Sequence, residues 1–259
     1  MVALVLWLWI TTGQEWPAAV ILNLVAMAHA WLTASRSPSI VHQPVYARWY
    51  GLASVVLAFA ILLVALRVFA FEPFRTPAGS MYPSLRIGTI FVVKKWGYGH
   101  YSTFGVPFWR AEISAPLERG AIYAFESPKD RRYNYVKRLI GLPGDRVIYR
   151  DKRLTVNGRP LSYVAVAAEP IDEAAVSYGT GKLQLLQEEG HRIAIDPARS
   201  GQDFEATVDP GKLLFLGDNR DNSLDSRFLG QVPFELVVGK LVLLLEAEPG
   251  ASMSSSPKR

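Results

Sequence analysis

The chain has 259 residues, 28 Lys+Arg against 23 Asp+Glu for a formal net charge of +5, a hydrophobic half, and no cysteine. Without cysteine there is no disulfide framework, thiolate nucleophile, thiolate zinc site or iron–sulfur cluster. The mean hydropathy of +0.14 is high for a water-soluble protein, and the excess is local: residues 1–71 carry only Glu15, Arg36, Arg48 and Arg67, whereas the other 188 carry 25 basic and 22 acidic side chains.

That asymmetry predicts a membrane-embedded front and a water-soluble back. Residues 51–71 form an apolar stretch with one charge, which as a helix rising about 1.5 Å per residue matches the roughly 30 Å of a bilayer core. Arg67 lies near its end, where a long side chain can reach the headgroups. Residues 17–33 predict a second, shorter span, and residues 2–12 a partial one, so the number of spans stays at two or three. No positive segment precedes the first run, which speaks against a cleavable secretory signal. The loop between the later spans, residues 33–50, holds Arg36, Arg48 and His42 and no acid. Positive loops stay cytoplasmic, which puts everything after residue 71 on the outer face.

From residue 72 to 248 short alternating runs replace long apolar ones, among them IGTIFVVKK, GAIYAFES, YNYVKRLI, DRVIYR and RLTVNGRPLSYVAV. These predict strands. Asn157-Gly158 is a two-residue hairpin signal and Asp151-Lys152 turns the pair before it, giving a meander over 147–164. KLLFLGDN and ELVVGKLVLLL add two more strands. With no strand–helix alternation, the expected architecture is a mostly β, antiparallel domain anchored by N-terminal helices. Residues 165–208 are expected as an inserted lobe and 249–259 as a disordered tail.

Several motifs fail on their spacing. VSYGTGKL has Val176 and Leu183 where a phosphate-binding loop needs glycine and a hydroxyl. DNRDNSLDSRFL has Arg220, Ser223 and Leu229 at positions a calcium loop reserves for acid, glycine and glutamate. AGSMY lacks both glycines of a nucleophile elbow. A Ser-His-Asp triad would need His100 or His191, and both are expected at the surface. No cofactor or metal is implied.

Three elements remain. Ser80 sits in Pro77-Ala78-Gly79-Ser80-Met81-Tyr82-Pro83, a segment whose prolines and glycine enforce irregular backbone. It reads either as a presented nucleophile or as a connector serine. Lys137 lies in YNYVKRLI, where strand alternation groups Tyr133, Tyr135, Lys137 and Leu139 on one largely apolar face. There it is either a rim lysine with its head in water or a buried amine that acts as a base near neutral pH. The third element, Gly217 to Arg227, is rich in turn-forming side chains, and within it Asp225 and Arg227 can pair.

Taken together, PAGSMYPSL, RGAIYAFESP, YVKRLIGLPGD and GDNRDNSLDSR resemble, in order, four boxes of the type I signal peptidases, the bacterial leader peptidase family of Ser/Lys-dyad proteases. The resemblance implies that Ser80 is the nucleophile and Lys137 its base, with Ser223 orienting the lysine and Asp225 and Arg227 forming a supporting ion pair. It implies signal peptides of secretory preproteins as substrates, cut after small residues in an Ala-X-Ala pattern. The implied setting is the bacterial cytoplasmic membrane near the secretion translocon, with the catalytic domain on the lipid surface. Trp96, Tyr98, Tyr101, Phe104, Phe108 and Trp109 are expected to seat the domain in the interface. Ala78 departs from the family, many of whose members carry a hydroxyl there, so the oxyanion hole is expected to rest on the Ser80 backbone N–H. Phe228-Leu229 replaces the usual aromatic-Trp pair, expected as a packing variation. The alternatives are a dedicated peptidase for a conjugation or pilus substrate and a catalytically silent membrane scaffold.

Overall fold

The computed structural model describes residues 49–103, 106–166 and 183–245, with scattered helical positions between 25 and 35. The expected segment 2–12, most of 17–33, and the tail 249–259 lie outside the described residues. The chain divides into two compact units, Met1–Ala58 and Phe59–Arg259.

The division falls within helix α1, Trp49–Phe69. Apart from Ser54 and Arg67 its described side chains are almost all apolar, and Val55, Val56, Leu57, Ile61 and Leu62 are all exposed. The expected segment 51–71 is thus displaced by two residues: Ala70 N–H closes the last turn on Leu66 O, and Pro73, which has no N–H to donate to a helix, sits in strand β1, Phe71–Arg75. Among the described residues no helix is long and apolar enough to cross a membrane. The Leu52 side chain lies outside the description, so the unbroken described run is 53–69, about 26 Å at 1.5 Å per residue.

Beyond α1 the described chain is almost entirely β. β1, β2 (Ile90–Lys94), β16 (Val237–Leu245), β5 (Ile122–Glu126), β6 (Asn134–Gly141), β14 (Lys212–Leu216) and β15 (Val232–Pro233) form one sheet in that order. Its described pairings are antiparallel. Alternation along its strands sends side chains to two faces. Tyr123, Phe125, Leu139, Leu213 and Phe215 form one core cluster with Tyr98, Leu236 and Val237. Ile140, Leu214 and Leu216 face the other way, into a cluster with Val147, Tyr149, Leu154, Val156 and Val208.

That second cluster belongs to a smaller sheet of β13 (Phe204–Thr207), β7 (Arg146–Arg150), β8 (Arg153–Val156) and β9 (Arg159–Pro160). Its two hairpins fall at Asp151-Lys152 and Asn157-Gly158. All four residues have positive φ (47°, 62°, 54° and 78°), the conformation that two-residue hairpin turns demand.

The segment 165–208 does not stand apart as one lobe. Its last strand, β13, pairs with β7, and Val208 is in the shared core. Its first part joins a three-stranded sheet of β10 (Tyr163–Ala165), β11 (Gln184–Glu188) and β12 (His191–Ile195). β3 (His100–Thr103) and β4 (Val106–Arg110) form a separate hairpin. There Phe108 and Trp109 are exposed, as is the nearby Trp96, whereas Tyr98 is buried at 4% exposure and stacks edge-on against Tyr123. Tyr98 is therefore core, not an interfacial ring; Phe104 lies outside the described residues.

Where the two sheets meet, Gly141 is required by space. A Cβ there would lie 2.7 Å from Val208 Cγ2 and 3.0 Å from Val147 Cγ2. Gly141→Ala should therefore lower stability by about 1–3 kcal/mol, the usual scale for overpacking. Urea unfolding of the detergent-solubilised chain measures this, and unchanged stability would show the interface to be slack.

Candidate active site

Ser80 is presented by a tight turn with buried flanks. Gly79–Met81 form a single 3-10 turn, Tyr82 N–H donates to Gly79 O at 3.1 Å, and Leu85 N–H donates to Met81 O at 2.9 Å. Met81, Tyr82 and Leu85 are each at most 3% exposed and pin the turn, while Ser80 stays partly exposed. The peptide bond Tyr82-Pro83 is cis.

Lys137 comes from the middle of β6, opposite Tyr123 of β5. Its strand neighbours Tyr135 and Leu139 share its face, so the amine is surrounded by rings and aliphatic groups. Nζ lies 5.6 Å from the Tyr135 ring centroid and 2.5 Å from Ser80 Oγ. The residue is 2% exposed, so it is no rim lysine. Burial drives its pKa down from 10.5 to about 8; the carboxylates of Asp225 and Asp218 oppose the shift and Arg227 adds to it.

Desolvation prevails because both nearby carboxylates are already paired. Asp225 takes Arg227 Nε and Nη2, each at 2.8 Å, and its Oδ2 accepts Gly217 N–H at 3.0 Å. It also caps the short helix α2, Ser226–Leu229, by accepting Arg227 N–H. Arg227 spends a further donor on Arg220 O. Asp218 takes Arg138 Nε at 2.8 Å and its Nη2 as well. Each carboxylate thus acts on Lys137 as half of a dipole, not as a free counter-ion.

The structure brings Ser80, Lys137, Asp225 and Arg227 together. It treats Ser223 differently. The hydroxyl is buried but makes no hydrogen bond, so it does not orient the lysine in this state. It abuts Gly217, where a Cβ would fall 2.1 Å from Ser223 Oγ and 2.6 Å from Ser80 O. Ala78 has extended backbone (φ −144°, ψ 156°) and offers no hydroxyl.

The histidines are a correction. His100 is 2% exposed with Nε2 3.1 Å from Glu126 Oε1, and burial lowers its pKa. His191 Nε2 lies 3.1 Å from Glu188 Oε2. His100 is thus buried against Glu126 of β5, while His191 is half-buried beside Glu188, its partner across the β11–β12 hairpin.

Three contacts around the site escaped the sequence. Arg138–Asp218 is one. Glu188–Arg220 is another, fully buried, with Arg220 Nη1 donating to Oε1 at 2.9 Å. The third is Asn219, whose backbone and side chain both reach the Ser80 turn. Arg138 and Asp218 each adjoin a residue already singled out, but pairing residues 80 apart takes the strand register of β6 on β14.

The sequence profile described as "Signal peptidase, peptidase S26" matches residues 48–245. The chain belongs to this peptidase family. It is 35% identical over 226 residues to a signal peptidase I of Pseudomonas aeruginosa, covering 80% of this chain and 75% of that one. It is 34% identical over 207 residues to a signal peptidase I of Rickettsia felis, covering 74% and 76%. Among solved structures, the crystal structure of a signal peptidase I from Enterococcus faecalis V583 is 31% identical with a TM-score of 0.33, covering 49% of this chain and 98% of that one.

For this S26 peptidase the electrostatics yield a directional test. Asp225→Asn removes a charge that favours the Lys137 ammonium and releases Arg227, and both effects lower the amine's pKa below about 8. The same change strips a buried arginine of its partner, which costs about 3–5 kcal/mol. Lysine-selective NMR titration and urea unfolding should show both shifts; an upward move of the titration would contradict this account of the site.

Proposed function

We propose that the chain is a membrane-bound serine endopeptidase that removes signal peptides from secretory preproteins by a Ser80/Lys137 dyad. The observation that carries this is the 2.5 Å contact between Ser80 Oγ and a buried lysine whose pKa has fallen to about 8, in a peptidase of family S26.

In the reactive form Lys137 is neutral and accepts the Ser80 hydroxyl proton. Oγ attacks the scissile carbonyl, and charge builds on its oxygen. With Ala78 at the family's hydroxyl position, the Ser80 backbone N–H serves as the oxyanion donor. The lysine then passes its proton to the leaving amine, which departs with the mature chain. A water, deprotonated by Lys137, attacks the acyl-enzyme, and as the acyl–Oγ bond breaks Lys137 returns that proton to Ser80 Oγ, freeing the signal peptide. Asp225 and Arg227 hold the Gly217 to Arg227 segment behind the base. The Ser223 hydroxyl, unpaired here, is available to the lysine as it changes charge. The preference for a small residue before the cut follows from the family resemblance.

The membrane setting is supported by composition and by α1. Its 21 residues would rise about 31 Å as a helix, the thickness of a hydrocarbon core. Arg67 near its end reaches Glu72, with Nη2–Oε1 at 3.4 Å, on the headgroup side. The exposed Trp96, Phe108 and Trp109 suit an interface. The positive loop ahead of α1 supports a catalytic domain outside the cytoplasm, and the family resemblance supports its working on the lipid surface near the translocon.

The purified full-length chain should cut a secretory precursor after an Ala-X-Ala site. Ser80→Ala abolishes this, and Lys137→Met, which keeps the volume and removes the base, lowers the rate by about 10²–10⁴. Cleavage that survives Ser80→Ala refutes the dyad. No cleavage by folded wild type turns attention to a conjugation or pilus substrate or to a silent scaffold. Ala78→Ser should raise kcat about tenfold or more if an oxyanion donor is missing, since such donors are worth about 10²–10³ where present; an unchanged kcat would show that the backbone suffices.

A further inference from the structure

The run Asp218–Arg220 lies between the three-stranded sheet of β10, β11 and β12, here called the inserted sheet, and the nucleophile turn. On one side Ala194 of β12 forms a parallel bridge with Asn219. Ala194 N–H donates to Asp218 O at 2.8 Å, and Arg220 N–H donates to Ala194 O at 2.9 Å. On the other side Asn219 N–H donates to Ser80 O at 3.1 Å, and its side-chain Nδ2 donates to Gly79 O, also at 3.1 Å. Asn219 is fully buried.

Those two carbonyls belong to the peptide planes on either side of the Ser80 Cα. Holding both planes fixes φ and ψ of Ser80 and therefore the direction of its Cα–Cβ bond. Because the peptide unit is planar and trans, the Gly79 carbonyl and the Ser80 N–H share one plane and point in opposite directions. A donor on Gly79 O thus aims the Ser80 N–H away from Asn219. One residue sets the direction of both the hydroxyl and the N–H. The buried Glu188–Arg220 pair and the β12 bridge brace that residue from behind.

We propose that Asn219 is the positioning residue that aligns Ser80 Oγ on Lys137 and the Ser80 N–H on the oxyanion, with the inserted sheet as its brace. The proposal rests on the dyad reading. With Ala78 unable to contribute a hydroxyl, the aim of the one remaining N–H matters more, because the loss of a well-placed donor is not shared with a second. Asn219 touches neither substrate nor the transferred proton. Its effect is on alignment, where a displacement of about 1 Å lowers a rate by about 10²-fold.

The test is steady-state cleavage of a secretory precursor by full-length wild type, Ser80→Ala, Asn219→Ala, Asn219→Asp and Val156→Ala. Val156 is a buried residue of the smaller sheet, and its truncation serves as a matched destabilised control. Both Asn219 variants are expected to lose about 10²-fold in kcat with KM within twofold of wild type. In Asn219→Ala the inflection of kcat with pH should stay near the wild-type position, because that change adds no charge beside Lys137, whereas the carboxylate of Asn219→Asp would move it upward. Val156→Ala, with a similar loss in Tm, should keep wild-type kcat. Asn219→Asp is close to isosteric and retains the backbone bridge, so it carries the test if Asn219→Ala does not fold. Wild-type kcat in a folded Asn219 variant, or an equal kcat loss in Val156→Ala, overturns the proposal. If wild type cleaves and Ser80→Ala does not, such a result removes Asn219 alone; if Ser80→Ala still cleaves, the dyad reading fails, and if wild type does not cleave, the secretory-substrate reading fails.

Discussion

A lysine amine held out of water governs the rest of this structure. An ammonium ion is costly to bury, and Lys137 is nonetheless placed mid-strand, opposite Tyr123 and between Tyr135 and Leu139. The sheet makes that possible by confining charge elsewhere. Asp225 is held by Arg227 and Asp218 by Arg138, so the two carboxylates that favour protonation are each neutralised nearby. Removing either arginine would restore a free carboxylate beside the amine and lift its pKa, at the expense of the proposed base.

The buried ion pairs are therefore better read as tuning and positioning devices than as sources of stability. A buried pair gains little over well-packed apolar groups, and breaking it is what costs. Arg227 connects Asp225 to the Arg220 carbonyl, Arg220 connects to Glu188, and Glu188 lies on β11 of the inserted sheet. Lys152, at a hairpin tip of the smaller sheet, reaches Asp221 at 2.7 Å and Asp196 O at 2.6 Å. The segment from Gly217 to Arg227 is thus tied to both smaller sheets, while its own groups face Ser80 and Lys137. Elsewhere, Lys95 is fully buried and donates to Glu72 Oε2 at 2.9 Å, and its N–H donates to Ala70 O, which binds β2 to the end of α1.

Much of this was legible in the amino-acid sequence, for definite reasons. Asn157-Gly158 and Asp151-Lys152 marked turns because they tolerate positive φ, and alternation in YNYVKRLI placed Lys137 on the apolar face because a strand has period two. The motifs around Ser80, Lys137, Asp225 and Arg227 gave the family. What stayed hidden needed register or long-range pairing. Tyr98 sat in a run of aromatics with no period to separate core from surface. His100 met Glu126 only through the fold, and β13 joined the smaller sheet across an intervening segment of some fifty residues. Ser223 was expected on the lysine and instead lies unpaired against Gly217, a matter of a rotamer that no sequence pattern specifies. Asn219 stood inside a recognised motif, yet its two bonds to the nucleophile turn follow from where β12 and β14 bring it.

The central claim is that Lys137 becomes a neutral base near pH 8. The pH dependence of kcat/KM for precursor cleavage reports the free enzyme's essential groups and tests this most directly. The account predicts activity rising with pH, first order in hydroxide below an inflection at about 8 and level above it, because only the deprotonated amine accepts the serine proton. An inflection above 10, where an ordinary solvated lysine titrates, or activity that falls as pH rises through 8, would contradict it.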